Sequence, residues 1–275
     1  MSPMCDLVLA STSNKVTTLT MNDPRRLNGW TLDMMNALAD AFARAAEDAA
    51  TAVVVLTGTD PYYSAGVNLS STIRLGHPRT LRDAIVRENQ ALFDRFIDFP
   101  KPLVAAVNGP AIGATVTSAT LCDAILASET ATFSTPFARL AVPPEGCSSV
   151  HLPKLIGSTN ANRMLGKEGW RPTAVEALEV QLVNEVVPHR ELLPRAQALG
   201  EAWASEARAR TFRAGSTREE LKAANARESE ALGDAFLAAP FLMGQYRFLW
   251  SRKKYSSALT FLGLRLTRPA WSLML

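Results

Sequence analysis

Apolar positions recur along this chain with two periods, and the two alternate. Val16–Met21 (VTTLTM) is short and β-branched, as a strand requires. Ala52–Thr57 (AVVVLT) and Leu103–Val107 (LVAAV) are almost continuously apolar, which suits strands buried on both faces. Ala124–Ala127 and Val183–Val187 predict two more. Between the strands the period changes. Leu32, Met35, Leu38, Ala39 and Phe42 fall on one helical face, with Thr31 in place to cap it. A second helix is predicted over Leu81–Phe96. A third, rich in small residues, is predicted over Ala111–Leu121 after an Asn108-Gly109-Pro110 turn. From Glu191 onward the pattern is helical almost throughout. Alternation to about residue 190 followed by helices predicts an α/β body, residues 1–190, and an α-helical region, residues 191–275.

Composition narrows the function. The 275 residues are 47% hydrophobic and 20% charged, ample for a sizeable core. A net charge of +3 accommodates an anionic small molecule, and no nucleic-acid partner is expected. Cys5, Cys122 and Cys147 have no CxxC spacing and read as reduced thiols. His77, His151 and His189 lie far apart, so no metal is expected. No apolar run is long enough to span a bilayer. Residues 1–10 carry neither a secretory signal nor an Arg-rich presequence, which implies synthesis as a cytosolic product.

Two small-residue turns carry candidate chemistry. Ser64-Ala65-Gly66-Val67-Asn68-Leu69 follows the second strand, and Ala114 follows Ala105-Ala106-Val107-Asn108-Gly109-Pro110-Ala111-Ile112-Gly113. Small residues admit a ligand close to the backbone. The start of a helix offers unpaired N–H groups where negative charge can develop.

Together, SAGVNL and AAVNGPAIG resemble the paired oxyanion-hole motifs of the crotonase (enoyl-CoA hydratase/isomerase) superfamily. NDPRRLNGWT, CDAILAS and LVNEVVP extend the resemblance over about residues 16–188. It implies a spiral of repeated ββα units with a C-terminal helical region. It also implies an acyl-CoA thioester as substrate, with coenzyme A part of the substrate and no separate cofactor. The implied oxyanion donors are the backbone N–H groups of Ala65 and Ala114.

Within the superfamily, hydratases resemble one another in two glutamates. Thr117 and Phe137 stand at those two positions here. A carboxylate appears instead at Glu145, in Pro143-Pro144-Glu145-Gly146-Cys147-Ser148-Ser149. The run from Thr135 to Gly157 looks like the peroxisomal-type Δ3,Δ2-enoyl-CoA isomerases, whose proton-carrying glutamate lies in that motif. The resemblance implies that Glu145 moves a proton from C2 to C4 of a 3-enoyl-CoA through a dienolate. Phe133, Phe137, Leu140 and Val142 are candidate apolar walls. Dienoyl-CoA isomerisation, atypical hydration and a non-catalytic acyl-CoA-binding role remain as alternatives.

For the coenzyme A end, Arg25 and Arg26 are candidate phosphate contacts. Leu27, Ser64, Gly66, Asn68 and Leu69 are candidate channel residues. The family resemblance implies a homotrimer or dimer of trimers and a peroxisomal location. Ser272-Leu273-Met274-Leu275, at the end of an atypical tail from about residue 255, is not an SKL-type signal.

Overall fold

The computed structural model describes residues 6–67 and 76–275. Its main sheet has six strands in the order β1 (Val8–Ser13), β2 (Val16–Met21), β3 (Val53–Gly58), β4 (Leu103–Val107), β6 (Ala124–Ser128) and β8 (Glu185–Val187). β1 pairs antiparallel with β2, and every later pair is parallel. The apolar runs are explained by burial on both faces. Val54 and Leu56 of β3 enter the larger core, while Val53 and Val55 enter the smaller one on the opposite face.

A second, short layer runs beside the main sheet. Trp30 bridges to Val67, Ser64 bridges to Ala111, and β5 (Ala111–Ile112) pairs with β7 (Phe133–Ser134), all in parallel. Each coil therefore gives one strand to the main sheet and one short segment to the second layer before a helix returns the chain. This is the expected spiral of ββα units. The helices over the larger core include α1 (Leu32–Glu47) and α2 (Pro78–Asp98). Thr31 caps α1 as expected, accepting a hydrogen bond from the Met34 N–H.

The third predicted helix begins later than its sequence suggests. Ala111 and Ile112 are extended, because their N–H groups go to Thr132 and Ser64 carbonyls at 2.8 and 3.1 Å. Helix α3 spans Ala114–Thr120 only. Strand β8 likewise covers only the last three residues of Val183–Val187. Strand β1 and helix α5 (Ser148–Leu165) had no prediction from the periodicity. A one-turn helix, α4 (Phe137–Leu140), precedes α5, and α6 (Ala174–Glu179) follows it.

The helices after residue 190 pack on the body. On α7 (Leu192–Ser205), Leu192, Ala196 and Trp203 cover the back of the sheet. α8 (Arg218–Phe236) lies against α2. Asn225 donates to the Gln90 carbonyl and to Asp94, and Asn89 donates to Ser229 at 3.0 Å. α9 (Ala239–Ser251) and α10 (Tyr255–Trp271) form a hairpin in which Phe241 meets Phe261 edge-on. The tail is thus helical and docked. Arg268 reaches the Leu237 carbonyl and Arg79 reaches that of Leu275. No helix among the described residues is long and apolar enough to cross a membrane.

Candidate functional site

A cavity of about 410 Å³ opens past the C-terminal ends of β3 and β4, where parallel sheets present their loops. Ala65, Gly66 and Val67 line one side, and Gly113 and Ala114 line another. Leu32 and Met35 of α1, Leu81, Ile85 and Leu92 of α2, and Leu232 and Phe236 of α8 form an apolar wall. Phe137, Leu140, Val142 and Glu145 complete it. Of the expected apolar walls, Phe133 is absent from this lining and sits in the core instead.

The loop from Asp60 to Val67 is held by a buried polar knot. Asn28 donates to the Thr59 and Tyr62 carbonyls at 2.6 and 2.7 Å and accepts from the Asp23 N–H. Ser64 donates through its hydroxyl to the Asn28 carbonyl at 2.7 Å and accepts from the Gly66 N–H. Ser64 is therefore fully buried scaffolding, and it does not line the cavity as expected for a substrate contact. Gly66 is required twice over. Its φ is +84°, and a Cβ there would stand 2.5 Å from the Ile112 carbonyl oxygen.

This anchoring corrects one oxyanion assignment. The Ala65 N–H donates to the Leu27 carbonyl at 2.9 Å and so is spent on the scaffold. Two residues further on, the Val67 N–H donates to no other described residue. The Ala114 N–H is also free of described partners. It opens α3, where no preceding turn of helix supplies an acceptor. Among the described residues, Val67 and Ala114, rather than Ala65 and Ala114, thus present backbone donors without a partner at the cavity.

Glu145 stands in the loop between α4 and α5. Its turn needs Gly146 at φ +68°, where a Cβ would meet the Phe93 ring and lie 2.5 Å from the Thr117 hydroxyl oxygen. The carboxyl is half-buried, faces apolar walls and has no hydrogen-bond partner among the described residues. Burial pushes it up to about 8, with the nearby Glu228 charge adding to the rise. Thr117 donates to the Ala114 carbonyl at 3.2 Å, and Phe137 is a buried wall. Neither supplies a carboxyl where hydratases resemble one another in having one.

The remaining expected residues are placed as follows. Arg25 and Arg26 lie on an exposed 3-10 turn, Pro24–Arg26, with Arg26 3.7 Å from Asp23. Leu27 ends this turn and is tied to the cavity rim through its carbonyl bond from Ala65. Asn68 and Leu69 lie outside the described residues. Among the described residues no cluster of His, Cys, Asp or Glu is arranged to hold a metal ion.

Several site residues escaped the sequence reading. The Val67 N–H carries no mark in the sequence, because nothing there says which of three adjacent N–H groups is left without a partner. Glu88 and Asn89 of α2 line the cavity. Glu228 was hidden in a charged stretch, although it is aligned with the buried Leu221, Ala224 and Leu232 stripe of α8. A carboxylate on an apolar helical face is the signal that would have found it.

Comparison with known proteins places the chain in a family. The family model described as Enoyl-CoA hydratase/isomerase matches residues 11–257. Peroxisomal enoyl-CoA delta isomerase 3 of Mus musculus is 40% identical over 184 residues, which are 66% of this chain and 57% of that protein. Enoyl-CoA delta isomerase 2 of Homo sapiens is 33% identical over 258 residues, 90% of this chain and 64% of that protein. The chain thus spans a little over half the length of these relatives. The solved enoyl-CoA hydratase/isomerase of Pseudoalteromonas atlantica T6c superposes with a TM-score of 0.77 at 29% identity. It covers 89% of this chain and 97% of its own. With a matching family model, a shared spiral fold and two unpaired backbone donors at the mouth of one cavity, the chain belongs to the enoyl-CoA hydratase/isomerase family.

Proposed function

We propose that the protein is a Δ3,Δ2-enoyl-CoA isomerase that uses Glu145 as its single proton carrier. The observation that carries this reading is the Glu145 carboxyl in an apolar cavity shared with the Val67 and Ala114 N–H groups, all three without a partner among the described residues. The thioester oxygen sits between those two donors. Glu145 takes a proton from C2, and the C2–H electron pair enters a dienolate whose charge rests on the thioester oxygen. The same carboxyl returns the proton to C4, and the double bond moves from C3–C4 to C2–C3. Each preorganised donor supplies roughly a hundred- to a thousand-fold in rate.

A carboxyl raised to about 8 is a stronger base than an ordinary glutamate. The apolar walls keep water from the dienolate. Arg25 and Arg26, on the turn tied to the cavity rim, meet the coenzyme A phosphates. The test is conversion of 3-hexenoyl-CoA to its conjugated isomer by the wild type and Glu145→Gln. The variant is expected to lose at least about a hundred-fold in kcat while still binding the thioester. Equal turnover overturns the reading.

A second reading rests on Glu88, which faces the same cavity. Were it the partner of Glu145 in adding water, the protein would hydrate crotonyl-CoA and Glu88→Gln would abolish that. The isomerase reading expects Glu88→Gln to leave isomerisation within a few-fold of wild type.

A further inference from the structure

Glu228 is a buried carboxylate on α8, and the proton transfer described above gives it no role. One of its oxygens accepts from the Cys147 N–H at 2.7 Å. The other accepts from the Ser149 N–H at 2.8 Å and from the Ser149 hydroxyl. These donors flank the start of α5, immediately after Glu145. The residue at the N-cap position, Cys147, is left-handed at φ 65° and offers no capping side chain. Glu228 therefore caps α5 from a distant helix, satisfying N–H groups that the helix itself leaves open.

A carboxylate gains there twice, from the hydrogen bonds and from the positive end of the helix. Burial raises the Glu228 carboxyl above the usual carboxylate range, and these bonds oppose that rise by favouring the ionised form. The second consequence falls on Glu145. Its loop is pinned at Cys147 and Ser149 by Glu228, and the Glu228 charge acts on its carboxyl. Ser229 and Asn225, on the same helix, bond to Asn89 and to Asp94 of α2, which fixes α8 against the cavity wall.

We propose that Glu228 is the positioning residue for Glu145: it fixes the loop that aims the Glu145 carboxyl into the cavity, and the two buried carboxyl groups are electrostatically coupled. The catalytic meaning of this role rests on Glu145 being the proton carrier. The electrostatic coupling itself does not. Other groups around the pair are Glu88 on the cavity-facing side of α2, Asp94 paired with Lys222, the Cys147 thiol, and Arg227 on α8. Glu228 holds the Glu145 loop to α8 through two backbone N–H groups, and the Cys147 thiol adds a bond to the Leu221 carbonyl of α8 at 3.1 Å.

The experiment is a 13C NMR titration of the full chain labelled at the glutamate carboxyl carbon. The Glu145 and Glu228 signals are assigned by their loss in Glu145→Gln and Glu228→Gln. In the wild type, each signal is expected to show a second inflection where the other group titrates, as coupled sites do. In Glu228→Gln the Glu145 midpoint is expected to fall by about one pH unit while staying above an ordinary glutamate, because burial persists. The acid limb of kcat/KM is expected to move down by the same amount. A merely structural cap would lower stability and leave both midpoints in place.

A folded Glu228→Gln with an unmoved Glu145 midpoint overturns the proposal. If that variant does not fold, single, independent inflections in the wild type overturn it. Because the titration needs no turnover, coupled signals together with an active Glu145→Gln would sink the isomerase reading while leaving the coupling intact.

Discussion

Replacing Glu145 by glutamine is expected to remove activity and to stabilise the protein, by an amount that grows with pH. The folded carboxyl holds its proton up to about pH 8, whereas in the unfolded chain it ionises near the ordinary glutamate value of 4.5. Between those values unfolding releases a proton. Wild-type stability attributable to this group therefore falls as pH rises through the window, and the loss is complete above pH 8. The difference between 4.5 and about 8, at about 1.36 kcal/mol per unit, gives a ceiling of about 5 kcal/mol. Water reaches the half-buried group through the cavity and screens it, so a cost of about 2–3 kcal/mol is the working value.

Glutamine keeps the shape and carries no charge to desolvate. Urea unfolding of both proteins at pH 5, 7 and 9 measures the effect. The variant is expected to match the wild type at pH 5 and to exceed it by about 2–3 kcal/mol at pH 9. A gap that stays flat across this range, or a wild type more stable at pH 9, refutes the argument that this carboxyl is held in an apolar site. The same raised value governs the rate. With a base titrating near 8, kcat/KM is expected to rise about tenfold per unit from pH 5 to 7 and to level off above 8.

Two further outcomes follow from the site geometry. An amide-to-ester exchange that deletes the Val67 N–H is expected to cut kcat by roughly a hundred- to a thousand-fold. The same exchange at Ala65 loses its 2.9 Å bond to Leu27 and is expected to cost stability of about 1 kcal/mol with a much smaller effect on rate. The reverse ranking in single-turnover assays would restore Ala65 as the donor. Substituting both Arg25 and Arg26 by alanine is expected to raise KM for coenzyme A thioesters severalfold and to weaken its salt dependence. Turnover of the phosphate-free pantetheine thioesters should be unaffected, and an equal change with both substrates would remove the two arginines from phosphate binding.

The sequence by itself determined the elements whose residues are decided locally or by burial on every side. The continuous apolar runs at β3 and β4 suit strands covered on both faces, and that is what they form. The Thr31 cap and the spacing of Leu38 and Phe42 fixed α1. Leu32 and Met35, from the same predicted face, line the cavity, and Met35 packs against the core as well, since a helix face says what is apolar but not what it meets. The Glu145 motif was also legible, because it is a contiguous run of residues.

Tertiary structure alone decided which backbone groups are free. Whether Ala65 or Val67 presents its N–H depends on Leu27, some forty residues earlier, arriving as an acceptor. The Ser64 hydroxyl goes to the Asn28 carbonyl, which only the fold brings within reach, and not to a substrate. Ala111 and Ile112 left the helix their composition favours because Thr132 and Ser64 offered carbonyls to an extended chain. Glu228 reaches the Glu145 loop across about eighty residues. Hydrophobic periodicity records the average surroundings of a side chain. A hydrogen bond depends on one particular partner brought close by folding, and the sequence carries no local mark of that partner.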